Sequence, residues 1–136
     1  MPTEAPDWLP SDTFSALDEK LGIEIVDWDL DRLVARMPVE GNTQPYGLLH
    51  GGATCSLVET VGSYAAALRA GPEASVVGIE LSASYVRAVT SGHVTAVCTP
   101  VGDGQPVASF LVEVTDDSGR LTASARLTCM VLPRRA

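Results

Sequence analysis

Two features of the stretch QPYGLLHGGATCSLVETVGSYAA, residues 44–66, are of types that could do chemistry together. The first is the turn His50-Gly51-Gly52, which opens an apolar helical pattern. The second is Glu59, a carboxylate on that helix. The first N–H groups of a helix have no intrahelical acceptor, and the helix dipole adds partial positive charge there. Glycine lets a ligand approach the backbone closely. The turn therefore suits an anion, or the oxyanion of a carbonyl under attack, with the Gly51 N–H as the electrophilic group. The alternative is a tight loop-to-helix turn that binds nothing. Glu59 supplies a group able to attack a carbonyl or to activate water. Its neighbours at helical spacing, Cys55, Ser56, Gly62 and Ser63, include no cation to pair with it.

Three further side chains belong to this constellation. Gln44, in the loop before the turn, can donate to or accept from a ligand carbonyl. Ser63, one turn beyond Glu59, either holds a water or the carboxylate, or bonds back to a carbonyl four residues earlier. His50 could serve as an acid or base, but a structural role, fixing the turn by bonding to backbone, is expected.

The spacing constrains how these groups can cooperate. A helix rises ~1.5 Å per residue, so Glu59 lies about 12 Å along the axis from Gly51. A reacting carbonyl must sit within ~3 Å of both the oxyanion donors and the attacking group. One chain cannot easily arrange that. Two antiparallel copies about a two-fold axis can, because the Glu59 of one then approaches the His50-Gly51 turn of the other. The expected assembly is a homodimer with two shared sites.

The surrounding elements follow from periodicity. Residues 1–10 read as a loose leader. SDTFSALDEKLG, 11–22, is a short helix capped by Ser11 or Asp12, with Phe14, Leu17 and Leu21 on one face and Gly22 as its stop. Two short strands flank the Asp29-Leu30-Asp31 turn, and residues 40–47 are a loop. The helix is expected over 52–69, ended by Gly71-Pro72. It is apolar nearly all round and so buried on several sides. Four strands follow, at 75–88, 92–102, 106–116 and 119–132. Short Gly-rich connections make them an antiparallel meander. In the last strand Leu121, Ala123, Ala125, Leu127, Cys129 and Val131 face the core. A sheet curled round one helix, an α+β fold in a single domain over 1–136, covers that helix economically.

The bulk numbers exclude several functions. With 136 residues and a net charge of −8, the chain lacks the clustered Lys and Arg that nucleic acid requires. No apolar run reaches membrane-spanning length, and the acidic, proline-rich N-terminus is not a signal peptide. The cytoplasm is the expected location. Cys55, Cys98 and Cys129 read as reduced thiols, and with only His50 and His93 as histidines no metal cluster is expected.

The stretch 44–66, followed by VVGIELSASYVRAVTSGHVTAVCTPV, resembles the hotdog-fold thioesterases. The similarity is greatest to the branch of the phenylacetic-acid-pathway and 4-hydroxybenzoyl-CoA thioesterases, and within it to 1,4-dihydroxy-2-naphthoyl-CoA hydrolases of menaquinone synthesis. It runs from about the first helix to Leu132. The resemblance implies a hotdog fold and hydrolysis of an acyl-CoA, with an aromatic acyl group, to free acid and coenzyme A. It implies Glu59 as nucleophile or general base, Gly51 N–H as the polarising donor, and supporting roles for His50, Gln44 and Ser63. It implies dimers that pair into tetramers, and no metal or redox cofactor. Arg87, with Ser84 and Tyr85, is placed at contacts to CoA or the acyl group; several aryl-CoA members carry His where this chain has Tyr85. The alternatives are a proofreading thioesterase acting on misacylated carrier proteins and a non-catalytic acyl-CoA-binding module. A hotdog hydratase would need an Asp–His pair, and no Asp lies between Asp31 and Asp103.

Overall fold

The computed structural model describes residues 1–9 and 15–133. Helix α1 spans Ala16–Leu21, and the Ser15 hydroxyl caps it by accepting from the Asp18 N–H at 3.1 Å. Gly22, at φ 74°, ends it. The caps expected at Ser11 or Asp12, and Phe14, lie outside the described residues. Leu17, expected on the buried face, is exposed; Asp18 is buried instead. The reason is a polar contact, since the Thr60 hydroxyl of the long helix donates to the Asp18 carboxylate. At the N-terminus, Thr3 donates to the Asp27 carboxylate at 2.9 Å and accepts from the Trp28 N–H.

Strands β1 (Glu24–Asp29) and β2 (Arg32–Pro38) form the expected hairpin. Helix α2 spans Gly51–Ala70, with His50 as N-cap and Gly71 as C-cap. The remaining strands are β3 (Ala74–Tyr85), β4 (His93–Val101), β5 (Val107–Asp116) and β6 (Leu121–Pro133). All pair antiparallel in one six-stranded sheet of order β1-β2-β4-β5-β6-β3. The sheet wraps the long helix, which is the hotdog architecture.

Leu57, Val58 and Val61 of α2 are fully buried against Leu33, Met37, Val94, Phe110, Val112 and Leu127. Burying such a side chain stabilises the fold by roughly 1.5–3 kcal/mol. Gly62 permits the close approach, because a Cβ there would collide with Leu127. At the far end of α2, Arg69 pairs with Asp31 at 3.1 Å and Asp103 at 2.9 Å.

Two expectations about the sheet are corrected. First, β3 and β4 are not neighbours. β4 pairs with β2, and β3 pairs with β6 along its length. The segment 86–92 is not a tight turn but a crossover past the ends of β6 and β5. Three strand spacings are about 14 Å, well within the reach of seven extended residues. Second, Leu121 is exposed and Thr122 buried. The register shifts there, with Val114 opposite Ala123 and Thr115 opposite Leu121, so Thr122 is the extra residue of a bulge. Its hydroxyl donates to the Val114 carbonyl at 3.1 Å.

Candidate active site

The turn before α2 is built by its own chain. Asn42 is buried, and its amide donates to the Leu21 and Pro38 carbonyls, both at 2.8 Å. The Asn42 carbonyl accepts from the His50 N–H at 2.9 Å. Gln44 Oε1 accepts from the Tyr46 and Leu48 N–H groups. Both partners are donors, so the amide oxygen must face them. Of the two capacities open to Gln44, the turn thus uses the acceptor and leaves the NH2 to donate.

The first four N–H groups of α2 can be accounted for individually. The Ala53 and Thr54 N–H groups reach the His50 carbonyl at 3.0 and 3.2 Å. The Gly52 N–H donates to His50 Nδ1 at 2.7 Å. That bond puts the proton of the neutral ring on Nε2 and gives His50 the capping role. The Gly51 N–H has no acceptor among the described residues. The Gly51 carbonyl accepts from the Tyr85 hydroxyl at 3.0 Å, and that hydroxyl lies 2.9 Å from Cys55 Sγ. The Cys55 contact and burial hold the Tyr85 hydroxyl protonated, with its pKa pushed up to about 12.

Glu59 sits two turns further along. It is exposed, and among the described residues it makes neither a hydrogen bond nor an ion pair. Its carboxylate rests over β3, where a Cβ on Gly78 would run into it. Gly78 pairs with Cys129 and adjoins a bulge before Glu80. Beside it, the Ser63 hydroxyl lies near enough to the Cys129 thiol to influence it. Burial raises the pKa of that thiol, the Ser63 hydroxyl opposes the rise, and the charge of Glu59 adds to it. Ser56, rather than Ser63, is seen bonding back along the helix, to the Gly52 carbonyl at 2.9 Å. Sequence reasoning missed Gly78. Its signal was a lone glycine inside a strand pattern, which marks a bulge or a close approach.

A groove of about 540 Å³ opens beside the turn, lined by Gln44, Leu48, Gly51, Tyr85, Arg87 and Val89 among others. Its outer wall is the crossover after β3. The Val86 and Arg87 N–H groups anchor that segment on the Thr122 carbonyl, and the Val89 carbonyl accepts from the Leu49 N–H at 2.8 Å. The Arg87 side chain is exposed and without an ion-pair partner among the described residues. Ser84 is not brought into this groove; it faces the outer side of the sheet with Ser124 and Arg126. Glu59 does not line the groove either. Among the described residues no group of His, Cys, Asp and Glu could hold a metal ion, and no helix is long and apolar enough to cross a membrane.

A family model described as thioesterase superfamily matches residues 46–123, which contain the turn, Glu59, Gly78 and Tyr85. The chain belongs to the thioesterase superfamily. A proofreading thioesterase, EntH, of Cronobacter turicensis is 42% identical over 125 residues, 91% of each chain. The 1,4-dihydroxy-2-naphthoyl-CoA hydrolase of Escherichia coli K12 is 45% identical over 103 residues, covering 75% of this chain and 76% of that protein. Among solved structures, a thioesterase from Haemophilus influenzae superposes with a TM-score of 0.83 at 36% identity, covering 86% of this chain and 82% of the other. A mutant thioesterase from Pseudomonas aeruginosa gives a TM-score of 0.80 at 34% identity, covering 87% and 86%. The protein is a hotdog-fold thioesterase, a hydrolase.

Proposed function

We propose that this thioesterase hydrolyses an aromatic acyl-CoA in sites shared between two chains. The observation that carries the reading is the Gly51 N–H, the one donor of the α2 turn without an acceptor among the described residues, on a residue that lines the groove. The thioester carbonyl binds that N–H and the free NH2 of Gln44. Glu59 of the second chain either takes a proton from attacking water or attacks directly. Negative charge grows on the carbonyl oxygen against the Gly51 N–H, and the C–S bond breaks as the intermediate collapses. Through water, the carboxylic acid forms at once. Through direct attack, an anhydride with Glu59 forms first and water then cleaves it. Both routes release coenzyme A as its thiol. Water, a carboxylate and backbone donors supply all that this hydrolysis needs.

The shared site is supported by the β3 edge. On one side β3 pairs with β6; its other side is unpaired among the described residues over a 12-residue strand with Val77 and Ile79 exposed. A long apolar edge is a template for another strand. A two-fold partner pairing there would set the α2 helices antiparallel, bringing each Glu59 toward the other chain's turn. Pairing of such dimers into a tetramer would use a further surface. Arg87, free at the groove rim, is suited to a CoA phosphate. Three free cysteines fit a reducing compartment such as the cytoplasm.

The aromatic acyl group rests on the apolar groove wall and on the similarity to the naphthoyl-CoA hydrolase. A carrier-protein thioester is the second reading, favoured by the similarity to EntH over most of both chains. A panel of 1,4-dihydroxy-2-naphthoyl-, benzoyl-, phenylacetyl- and medium-chain acyl-CoA, with aryl carrier protein beside it, is read by free-thiol release. Highest kcat/KM on an aryl-CoA is expected. A preference for the carrier-bound thioester would move the assignment to proofreading, and no thiol release from any thioester would sink both readings.

A further inference from the structure

We propose that Tyr85 is a positioning residue, which aims the Gly51 N–H through a hydrogen-bonded chain running from the Cys55 thiol to the Tyr85 hydroxyl to the Gly51 carbonyl. This rests on the reading of Gly51 as the oxyanion donor. The directions of the chain follow from counting protons. A carbonyl oxygen can only accept, so the single Tyr85 hydroxyl proton goes to Gly51 at 3.0 Å. The 2.9 Å contact with Cys55 then has the thiol as donor and the Tyr85 oxygen as acceptor.

The consequence lies in the peptide plane between Gly51 and Gly52. Its N–H is held by His50 Nδ1 at 2.7 Å and its C=O by Tyr85. A peptide held at both ends cannot rotate, and a helix start with two glycines would otherwise be free to do so. Fixing that plane fixes ψ of Gly51 and the seat of its Cα, from which the preceding N–H hangs; the His50 carbonyl of that N–H's own peptide is held by the Ala53 and Thr54 N–H groups. The ring seals the arrangement, because a Cβ on Gly51 would lie 2.9 Å from Tyr85 Cζ. Glycine at 51 and tyrosine at 85 are thus one fitted pair, contributed by the helix start and the last residue of β3.

The role differs from an acyl or CoA contact in a measurable way. A group that aims the oxyanion donor acts on every thioester alike, because every substrate has the same carbonyl. A group that touches the acyl chain discriminates between substrates. The experiment measures kcat and KM for Tyr85→Phe, Cys55→Ser and Cys55→Ala on benzoyl-CoA and hexanoyl-CoA, with Glu59→Gln as reference and thermal unfolding as the check on folding. Tyr85→Phe keeps the ring over Gly51 and removes only the hydroxyl. The expected result is a fall in kcat of roughly tenfold, smaller than loss of the donor itself, by the same factor on both substrates and with KM little changed. Cys55→Ser, which retains a donor, should keep near-wild-type kcat, while Cys55→Ala loses a few-fold. Unchanged kcat in Tyr85→Phe, or a loss confined to KM or to the aromatic substrate, would overturn the proposal. If Glu59→Gln is inactive while Tyr85→Phe is silent, only the positioning role falls. If Glu59→Gln keeps its turnover, the assignment of the attacking group falls, and Tyr85→Phe still decides the positioning role.

Discussion

The two groups proposed to meet at one carbonyl, the Gly51 N–H and Glu59, lie on the same helix, and the fold treats them in opposite ways. Around Gly51 the chain supplies a partner for nearly every polar group. Asn42 ties down the loop, His50 caps the helix, and Tyr85 holds the Gly51 carbonyl. Around Glu59 it supplies a gap: a glycine in the facing strand and no bonded partner among the described residues. A turn finished within one chain keeps its shape alone. A carboxylate left open beside a strand edge that has no partner among the described residues is, on the proposed reading, half of a site that a second chain completes. The contrast also separates the two kinds of residue that mutation will expose, those that hold the donor still and those that leave room for the attack.

The largest expected effect is on the open side. Glu59→Gln should lower kcat on the order of 10³-fold, the range of a lost general base or nucleophile. The melting temperature should hardly move, since Glu59 has no bonded partner to lose and exposed substitutions of that kind change stability by no more than about 0.5 kcal/mol. A large stability loss would show Glu59 to be structural.

On the finished side, Gly51→Pro deletes the donor N–H and also displaces the Tyr85 ring packed on Gly51. Proline is tolerated at the first helical position, and His50 already has the extended backbone, ψ 131°, that a following proline demands. The exposed Tyr85 ring must shift to admit it. A kcat loss of about 10²–10³ in a folded protein is expected, as for removal of one oxyanion-hole donor. Normal turnover would leave Gly51 as a turn residue only.

Gly78→Ala sharpens the contrast by filling the gap. The new methyl displaces the Glu59 carboxylate, and a fall in kcat of roughly tenfold is expected from misplacing the attacking group. KM should stay near its wild-type value, because the groove at the turn is untouched.

The smallest effect is chemical access. Cys55 at the turn is partly exposed, whereas Cys98 and Cys129 are buried. Burial and the neighbouring Cys129 push the Cys98 thiol up to about 12. Iodoacetamide at pH 8 should therefore label Cys55 alone, read by mass spectrometry of the folded chain. Labelling of Cys129 would mean that the floor beneath Glu59 is open.

Local patterns made much of this legible. Gly71-Pro72 and the His50 turn bounded α2 to within a residue at each end, and apolar alternation located all six strands. Strand order was not legible where a loop mattered most. The β3–β4 connection looks like a short turn because Gly92 closes it, yet β3 ends at Tyr85 and the crossover begins there. That crossover is the wall of the groove, so misreading it hid the pocket. Gln44 and His50 could be named from their place before a helix start, but not which atom of each was already used. The contacts of Tyr85 with Gly51, and of Gly78 with Glu59, join residues far apart in the chain. Only the register of β3 on β6 brings them together.

The central claim is that one site takes its donor from one chain and its carboxylate from another. Subunit complementation tests it most directly. Glu59→Gln and Gly51→Pro chains, each inactive alone, are unfolded together, refolded as a mixture and assayed for thiol release. A mixed dimer has one site with both defects and one with neither, and random pairing makes half of the dimers mixed. The account predicts recovery of about a quarter of wild-type activity from two dead proteins. A mixture as inactive as its parents, with mixed dimers shown to be present, would mean that each site is built within a single chain.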